Sequence, residues 1–192
     1  MEKQELVFGR LTDVRQLEEV HILTHDSFVE GGLISPTPDG KLDIYSHLDS
    51  LQETLIVTAT LAGQLVATCS ITKDNKHGLQ SDKFFKEETD HLREKHRNLG
   101  CSWRIVTAPP FRRDIRLIKR LIDHTALAAQ DLGIEYCLYC FATKHENIYS
   151  RLIGAKTITR KVIHYQENRE GNEFALMISR IAEYEPFYVR QP

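Results

Sequence analysis

Between residues 100 and 155 the hydrophobic period changes repeatedly, and that order constrains the fold more than any other stretch. Residues 101–107 (Cys-Ser-Trp-Arg-Ile-Val-Thr) read as a strand, and Pro109-Pro110 ends it. From 114 to 132 the residues Ile115, Ile118, Leu121, Ile122, Thr125, Ala126, Ala129 and Leu132 recur at helical spacing, and Gly133 follows as a stop. Residues 134–141 are nearly all apolar, as in a strand covered on both faces at a sheet's centre. Residues 146–152 predict a short helix closed by Gly154. The long helix starts beside Arg112 and Arg113, where an anion could sit. A CoA pyrophosphate, the phosphate of a carrier-protein arm, and no ligand at all are the three readings left open by the residues alone.

Upstream, residues 6–9 predict a short strand. Asp13 with Gln16 resembles a capping box, and Val14, Leu17, Val20, His21, Thr24 and Phe28 trace a first helix that stops at Gly31-Gly32. Residues 33–50 form a long polar loop with turn chemistry at Pro36 to Gly40 and acceptors at Asp43, His47 and Asp49. Residues 54–61 and 65–71 alternate around Ala62-Gly63-Gln64 as a β-hairpin. The charged insert at 73–98 carries Phe85, Thr89 and Leu92 at helical spacing, which admits an amphipathic helix lying on the surface, while its charge favours a solvated helix. Residues 155–163 and 173–180 predict a closing hairpin, and 181–192 a tail without assignment. The expected architecture is one α/β domain over 1–192, a mixed central sheet with an antiparallel N-terminal part and flanking helices.

A net charge of −2 argues against a general nucleic-acid binder. No window approaches the ~20 apolar residues of a membrane span, and the N-terminus does not read as a signal peptide. Cys137 and Cys140 form a CxxC within a strand, where residues three apart face opposite sides and cannot share a metal. The four cysteines are expected to be buried, reduced thiols of a cytoplasmic protein.

With these residues in this order, the chain resembles the GNAT acyltransferase superfamily. Val106, Pro109, Phe111 and Arg112 match its Val-x-Pro-x-Tyr-Arg. Where that family has two glycines in its pyrophosphate turn, this chain has Arg113 and Ile115, whose β-carbons obstruct close approach of phosphate to backbone. Within the superfamily, the segment from Thr143 through Tyr149 to Ala155 is similar to the His-x-x-Phe-Tyr-x-x-Leu-Leu-Gly-Phe of the branch holding the N-acyl amino acid synthases and the acyl-homoserine-lactone (autoinducer) synthases. His25 to Ile34, Leu65 to Thr68 and Trp103 to Val106 resemble further segments of that branch. The resemblance covers residues from about 20 to 160. Three charged positions of the lactone synthases fall here at Thr24, Ser70 and near Cys101, so lactone synthesis is not expected.

The resemblance implies an N-acyltransferase that moves an acyl group from a thioester to a small amine. Its donor would be the phosphopantetheine of acyl carrier protein or CoA, with no permanently bound cofactor and no metal. The fatty-acyl branch draws on carrier protein, which has less need of a glycine cradle. Arg112, Arg113, Arg116, Lys119 and Arg120 form a basic run against one acid, Asp114, suited to an acidic partner. Val106, Thr107 and Asn147 are the remaining donor-binding candidates, the amides of a splayed strand at 103–107 serving the thioester. Tyr149 stands where family members protonate the leaving sulfur. His47, Asp43, Asp49 and His25 are candidates for the base. Arg104 could bind an acceptor carboxylate bidentately, or pair with a loop aspartate such as Asp43 or Asp49. Phe28, Trp103 and His25 are the remaining substrate-binding candidates, Phe28 in the acyl or acceptor pocket or in the core, and Trp103 on the opposite side of its strand from Arg104, where core is the alternative. A conventional acetyl-CoA acetyltransferase and a catalytically lapsed binding domain are the alternatives.

Overall fold

The computed structural model describes residues 5–43, 45–164 and 171–187. The chain runs β1 (Leu6–Arg10), α1 (Val14–Glu30), α2 (Ser46–Asp49), β2 (Thr54–Leu61), β3 (Gln64–Lys73), α3 (Asp82–Lys95), β4 (Leu99–Thr107), α4 (Ile115–Asp131), β5 (Tyr136–Ala142), α5 (Glu146–Ile153), β6 (Lys156–Ile163) and β7 (Asn172–Arg180). The strands form one sheet of seven in the order β1-β2-β3-β4-β5-β7-β6. Among the described residues only β4 and β5 pair in parallel, and α4 is the crossover between them. Part of the predicted final turn and the end of the tail lie outside the described residues.

Local chemistry explains the boundaries. Asp13 caps α1 by accepting from Arg15 N, so the acid predicted to begin the helix does so. Gln16 contributes only its backbone amide, to Asp13 O. Leu61 pairs with Gln64, leaving Ala62 (φ 51°) and Gly63 (φ 80°) as a tight two-residue turn. Gly100 has the second constrained glycine role. A β-carbon there would meet Ile134 Cδ1 at 2.4 Å and Thr72 O at 2.9 Å, so the central strands close only around hydrogen.

The sheet is covered on both faces. On one, α4 sets Leu117, Leu121, Ile122, Ala126 and Ala129 against Cys69, Ile71, Cys137, Tyr139 and Met177. On the other, Phe85 and Leu92 of α3 pack against Leu99, Cys101, Leu138 and Leu176. Each fully buried leucine contributes about 1.5–3 kcal/mol relative to exposure. Cys137 and Cys140 fall on opposite faces, and all four cysteines are free thiols, as the strand period requires.

The helix α3 corrects the solvated reading of the insert. Phe85 and Thr89 are fully buried and Leu92 nearly so. Three of its acids meet one arginine, Arg93 binding Asp74, Asp82 and Asp90 at 2.7–2.9 Å, while Lys83, Lys86, Glu87, Glu94 and Lys95 stay exposed on the outer face. The helix is also kinked at Phe85 (φ −128°, ψ 42°).

Candidate active site

The parallel pairing of β4 with β5 runs from Leu99↔Tyr136 to Ser102↔Tyr139 and stops. Beyond it β4 follows β3 and β5 follows β7, so the two central strands part. A cleft of about 330 Å³ opens between them. Ala108 N donates to Val66 O at 2.8 Å and Val106 stands opposite Thr68. By alternation the amides of Ile105 and Thr107 turn toward the gap, while Val106 gives the cleft its side chain and spends its backbone on β3.

A bulge shapes the cleft wall. Thr68 faces Val106, yet Ser70 faces Trp103, so β4 carries one residue more than β3 across this step. Arg104 absorbs it with φ 54°, a left-handed conformation unusual for arginine. The extra residue resets the alternation. Trp103 and Arg104 therefore share a face, correcting the expectation that they oppose, and the guanidinium lies 4.4 Å over the indole. Trp103 is core, packed edge-on against Tyr45 with Leu48 beside it, and its Nε1–H donates to Thr72 Oγ1 at 2.9 Å.

Arg104 is not free to take an acceptor carboxylate. Nη1 donates to Asp49 Oδ2 at 3.0 Å, Nη2 to Asp49 Oδ1, and Nε to Ser70 Oγ at 3.2 Å. Both partners are almost completely buried, with side-chain exposures of 4% and 2%. The one-turn helix α2 brings Asp49 there out of the polar loop. Of the two open readings of Arg104, the ion pair with a loop aspartate is the one adopted.

The base candidates fare differently from expectation. Asp49 is committed to Arg104. Asp43 is exposed, 3.9 Å from His21 Nε2, and His47 is exposed on α2. His25 is buried with both ring nitrogens engaged: Nε2 accepts from Thr37 N at 3.0 Å, so Nδ1–H donates to Asp26 at 2.9 Å. Its role is to pin the loop to α1. His21, passed over in the sequence as part of a helix face, donates from Nε2 to Asp49 at 3.1 Å. His21, Asp43 and Asp49 place ligand-type atoms within 4.8 Å of one another, but both Asp49 oxygens are taken by the guanidinium.

Of the residues predicted for the site, Phe28, Trp103, Arg104, Val106, Thr107, Arg112 and the catalytic candidate Tyr149 line the cleft. Arg113 and Arg116 are exposed outside it at the start of α4, and Asn147 is exposed on α5. The basic run is not one patch. Lys119 binds Asp123, Arg120 stacks over Phe8, and Arg112 pairs with Glu30. Arg112 Nη2 remains buried without a hydrogen-bond partner. Two residues not foreseen, Lys144 and His145, join the lining from the turn after β5. Their signal was a basic pair directly after a buried strand.

At the helix start, Asp114 accepts from Arg116 N at 2.9 Å and Leu117 N at 3.1 Å. The amides that would grip a pyrophosphate are thus occupied by the chain's own carboxylate.

Tyr149 stacks on Phe141 at 3.7 Å between ring centroids. These two and Ile105 line both the cleft and an apolar void of about 20 Å³ behind it, walled by Ile122, Ala126, Ala129 and Ile153. Burial pushes the Tyr149 hydroxyl well above its ordinary value. It pushes the Cys140 thiol in the cleft up to about 12.

The family model for the N-acyl amino acid synthase FeeM matches residues 19–178. The chain belongs to the FeeM family. It is an acyltransferase, as members of this family are. The solved FeeM structure, from uncultured soil microbes, superposes with a TM-score of 0.77 at 15% identity, over 94% of this chain and 93% of that one. The acyl-homoserine-lactone synthase LasI gives 0.68 at 16%, covering 99% and 100%. The CoA-dependent acyl-homoserine-lactone synthase BjaI gives 0.69 at 16%, covering 93% and 85%. At these identities the structural likeness establishes a shared fold, that of the GNAT acetyltransferases as well. No curated protein sequence matches the chain. No helix among the described residues is long and apolar enough to cross a membrane.

Proposed function

We propose that this FeeM-family chain transfers a fatty-acyl group from the phosphopantetheine arm of acyl carrier protein to the amine of a small acceptor such as an amino acid. The observation that carries the reading is the parting of β4 from β5 into a cleft that meets an apolar void. A thioester laid in that gap has its carbonyl beside the Ile105 and Thr107 amides, which stabilise the oxyanion of the tetrahedral intermediate. Its acyl chain points toward the void. The void is narrow, so a long chain enters only when the Phe141–Tyr149 stack moves aside.

The donor assignment rests on charge. Asp114 fills the amide cradle and adds a negative charge where CoA would place its pyrophosphate. Arg112 and Lys144 at the cleft offer cations to the single phosphate of a pantetheine arm. Arg113 and Arg116, exposed outside, suit an acidic carrier protein. Tyr149, kept protonated by burial, supplies the proton to the leaving sulfur. Cys140 is a poor nucleophile at neutral pH, which favours direct attack by the amine over a covalent acyl-enzyme. Carrier-protein chemistry and four free thiols fit a cytoplasmic protein.

The test is incubation with acyl carrier proteins of graded chain length, with the matching acyl-CoAs and acetyl-CoA, and with an amino-acid pool, followed by mass spectrometry. N-acyl amino acids from the carrier-protein donors are expected. Acetylated products from acetyl-CoA alone would replace this reading with the conventional acetyltransferase one.

A further inference from the structure

We propose that His145 is the general base that takes the proton from the acceptor amine. The assignment rests on the acyl-transfer reading above and deepens it. An ammonium acceptor must lose a proton before it can attack, and the cleft offers few groups to take it. Among the described residues no carboxylate lines the cleft. Its titratable lining consists of Tyr45, Arg104, Arg112, Cys140, Lys144, His145 and Tyr149. Arg104, Arg112 and Lys144 are side chains that donate hydrogen bonds and do not accept them. Cys140 and Tyr149 are held protonated by burial, and Tyr45 Oη accepts from Gln80 at 3.2 Å. The loop candidates are excluded by geometry, since Asp49 and His25 are fully engaged and Asp43 and His47 lie off the cleft.

His145 alone of the histidines among the described residues lines the cleft, and no hydrogen bond engages its ring nitrogens. It stands where β5, one of the parted strands, passes into α5. Its ring meets Tyr149 edge-on at 6.5 Å between centroids, so base and proposed proton donor flank the same space. His145 is exposed where it lines the cleft; desolvation of the covered part of its ring first, and the neighbouring Lys144 second, hold the imidazole below its ordinary value. It is therefore neutral and ready to accept at pH 7.

The step balances as follows. One ring nitrogen of His145 takes a proton from the ammonium. The amine lone pair forms the C–N bond at the thioester carbonyl. The C–S bond breaks with its electrons on sulfur, which takes the Tyr149 proton. The first imidazolium proton leaves to solvent; the freed imidazole then takes the second N–H proton of the tetrahedral adduct, which reprotonates Tyr149 through solvent, so an amide, a thiol and one proton are released.

The test compares wild type with His145→Gln and His145→Ala, using lauroyl carrier protein and the amino acid that the wild type acylates, over pH 5–9. The expected result is a loss of about 10²–10⁴-fold in kcat/KM at neutral pH. The acid limb of the profile should vanish in both variants, and added imidazole should restore part of the rate to His145→Ala. NMR titration of the wild-type ring should give a midpoint below that of a free imidazole. Wild-type kcat/KM or an unchanged acid limb in both variants overturns the base while leaving the acyl-transfer reading intact. Absence of any amide product from the wild type overturns both.

Discussion

Arg104 keeps its left-handed backbone while both terminal nitrogens of its guanidinium rest on the buried carboxylate of Asp49. The pair joins the cleft wall to the loop after α1, and His21 secures Asp49 from α1. Removing one partner strands a charge in the interior, so Asp49→Asn should cost about 3–5 kcal/mol. Urea unfolding of the variant measures it. A loss of about 1 kcal/mol or less, as for an exposed pair, would show that the bulge stands without it.

Asp114 is both cap and plug. Replacing it with glycine keeps an acceptable N-cap at a cost of a few tenths of a kcal/mol, roughly. It also frees the Arg116 and Leu117 amides. Asp114→Gly should therefore leave the melting temperature nearly unchanged while lowering KM for acyl-CoA several-fold. Steady-state kinetics with acyl-CoA and acyl carrier protein in parallel check this. An unchanged KM for acyl-CoA would mean that the occupied amides are not what disfavours it.

Much of this architecture was legible in the sequence, because caps and periodicity are local. Asp13, Gly31, Asp114 and Gly133 mark helix ends within a residue or so, and the apolar run of β5 announced a doubly covered strand. The β4 bulge was not legible. Nothing about arginine at 104 signals a left-handed backbone, and without that one residue the side assignments of Trp103 and Arg104 come out wrong. The fate of the acidic loop was hidden for a similar reason. A pairing of Arg104 with Asp43 or Asp49 is one of two open readings of the sequence, but that α2 buries Asp49 against β4 has no local sign. Lys144 and His145 stand in the sequence as a basic pair after a buried strand, but they reach the cleft only because β4 and β5 part, a tertiary event. The insert misled through its charge, most of which faces outward while Phe85 on the inner face is buried.

Alkaline pH should destabilise the fold. Burial raises the thiols of Cys69, Cys101, Cys137 and Cys140 above 9.0, and the hydroxyls of Tyr139, Tyr149 and Tyr184 above 10.0. The folded state holds these protons after the unfolded state has released them. The stabilising contribution is complete below the unfolded values and falls as pH rises past them. The melting temperature should be flat with respect to these groups near pH 7 and decline from about pH 9 upward. Calorimetry in reducing buffer across that range is the measurement, and an undiminished melting temperature at pH 10.5 would contradict the burial of these groups.

Arg113 and Arg116 separate docking from chemistry, because they are exposed and lie off the cleft. Arg113→Glu with Arg116→Glu should lower kcat/KM for acyl carrier protein on the order of tenfold at low salt, with the deficit shrinking as salt screens it. Turnover of acyl-pantetheine, which lacks the protein, should not change. Equal turnover of carrier protein by variant and wild type would remove these arginines from the docking surface.

The void behind the parted strands sets the last expectation. Ala126 and Ala129 of α4 form its small-residue wall, and Ile105, Phe141 and Tyr149 face it from the cleft. Ala126→Leu fills a space of about 20 Å³ and should cost about 1–3 kcal/mol through overpacking. If the acyl chain passes this way, the variant discriminates by length. Each methylene that no longer fits costs about tenfold or more in kcat/KM, while the shortest donors keep the wild-type rate. Competition between short and long acyl carrier proteins, read as the product ratio by mass spectrometry, cancels any loss of folded enzyme. A product ratio equal to that of the wild type would mean that the chain leaves the cleft by another route.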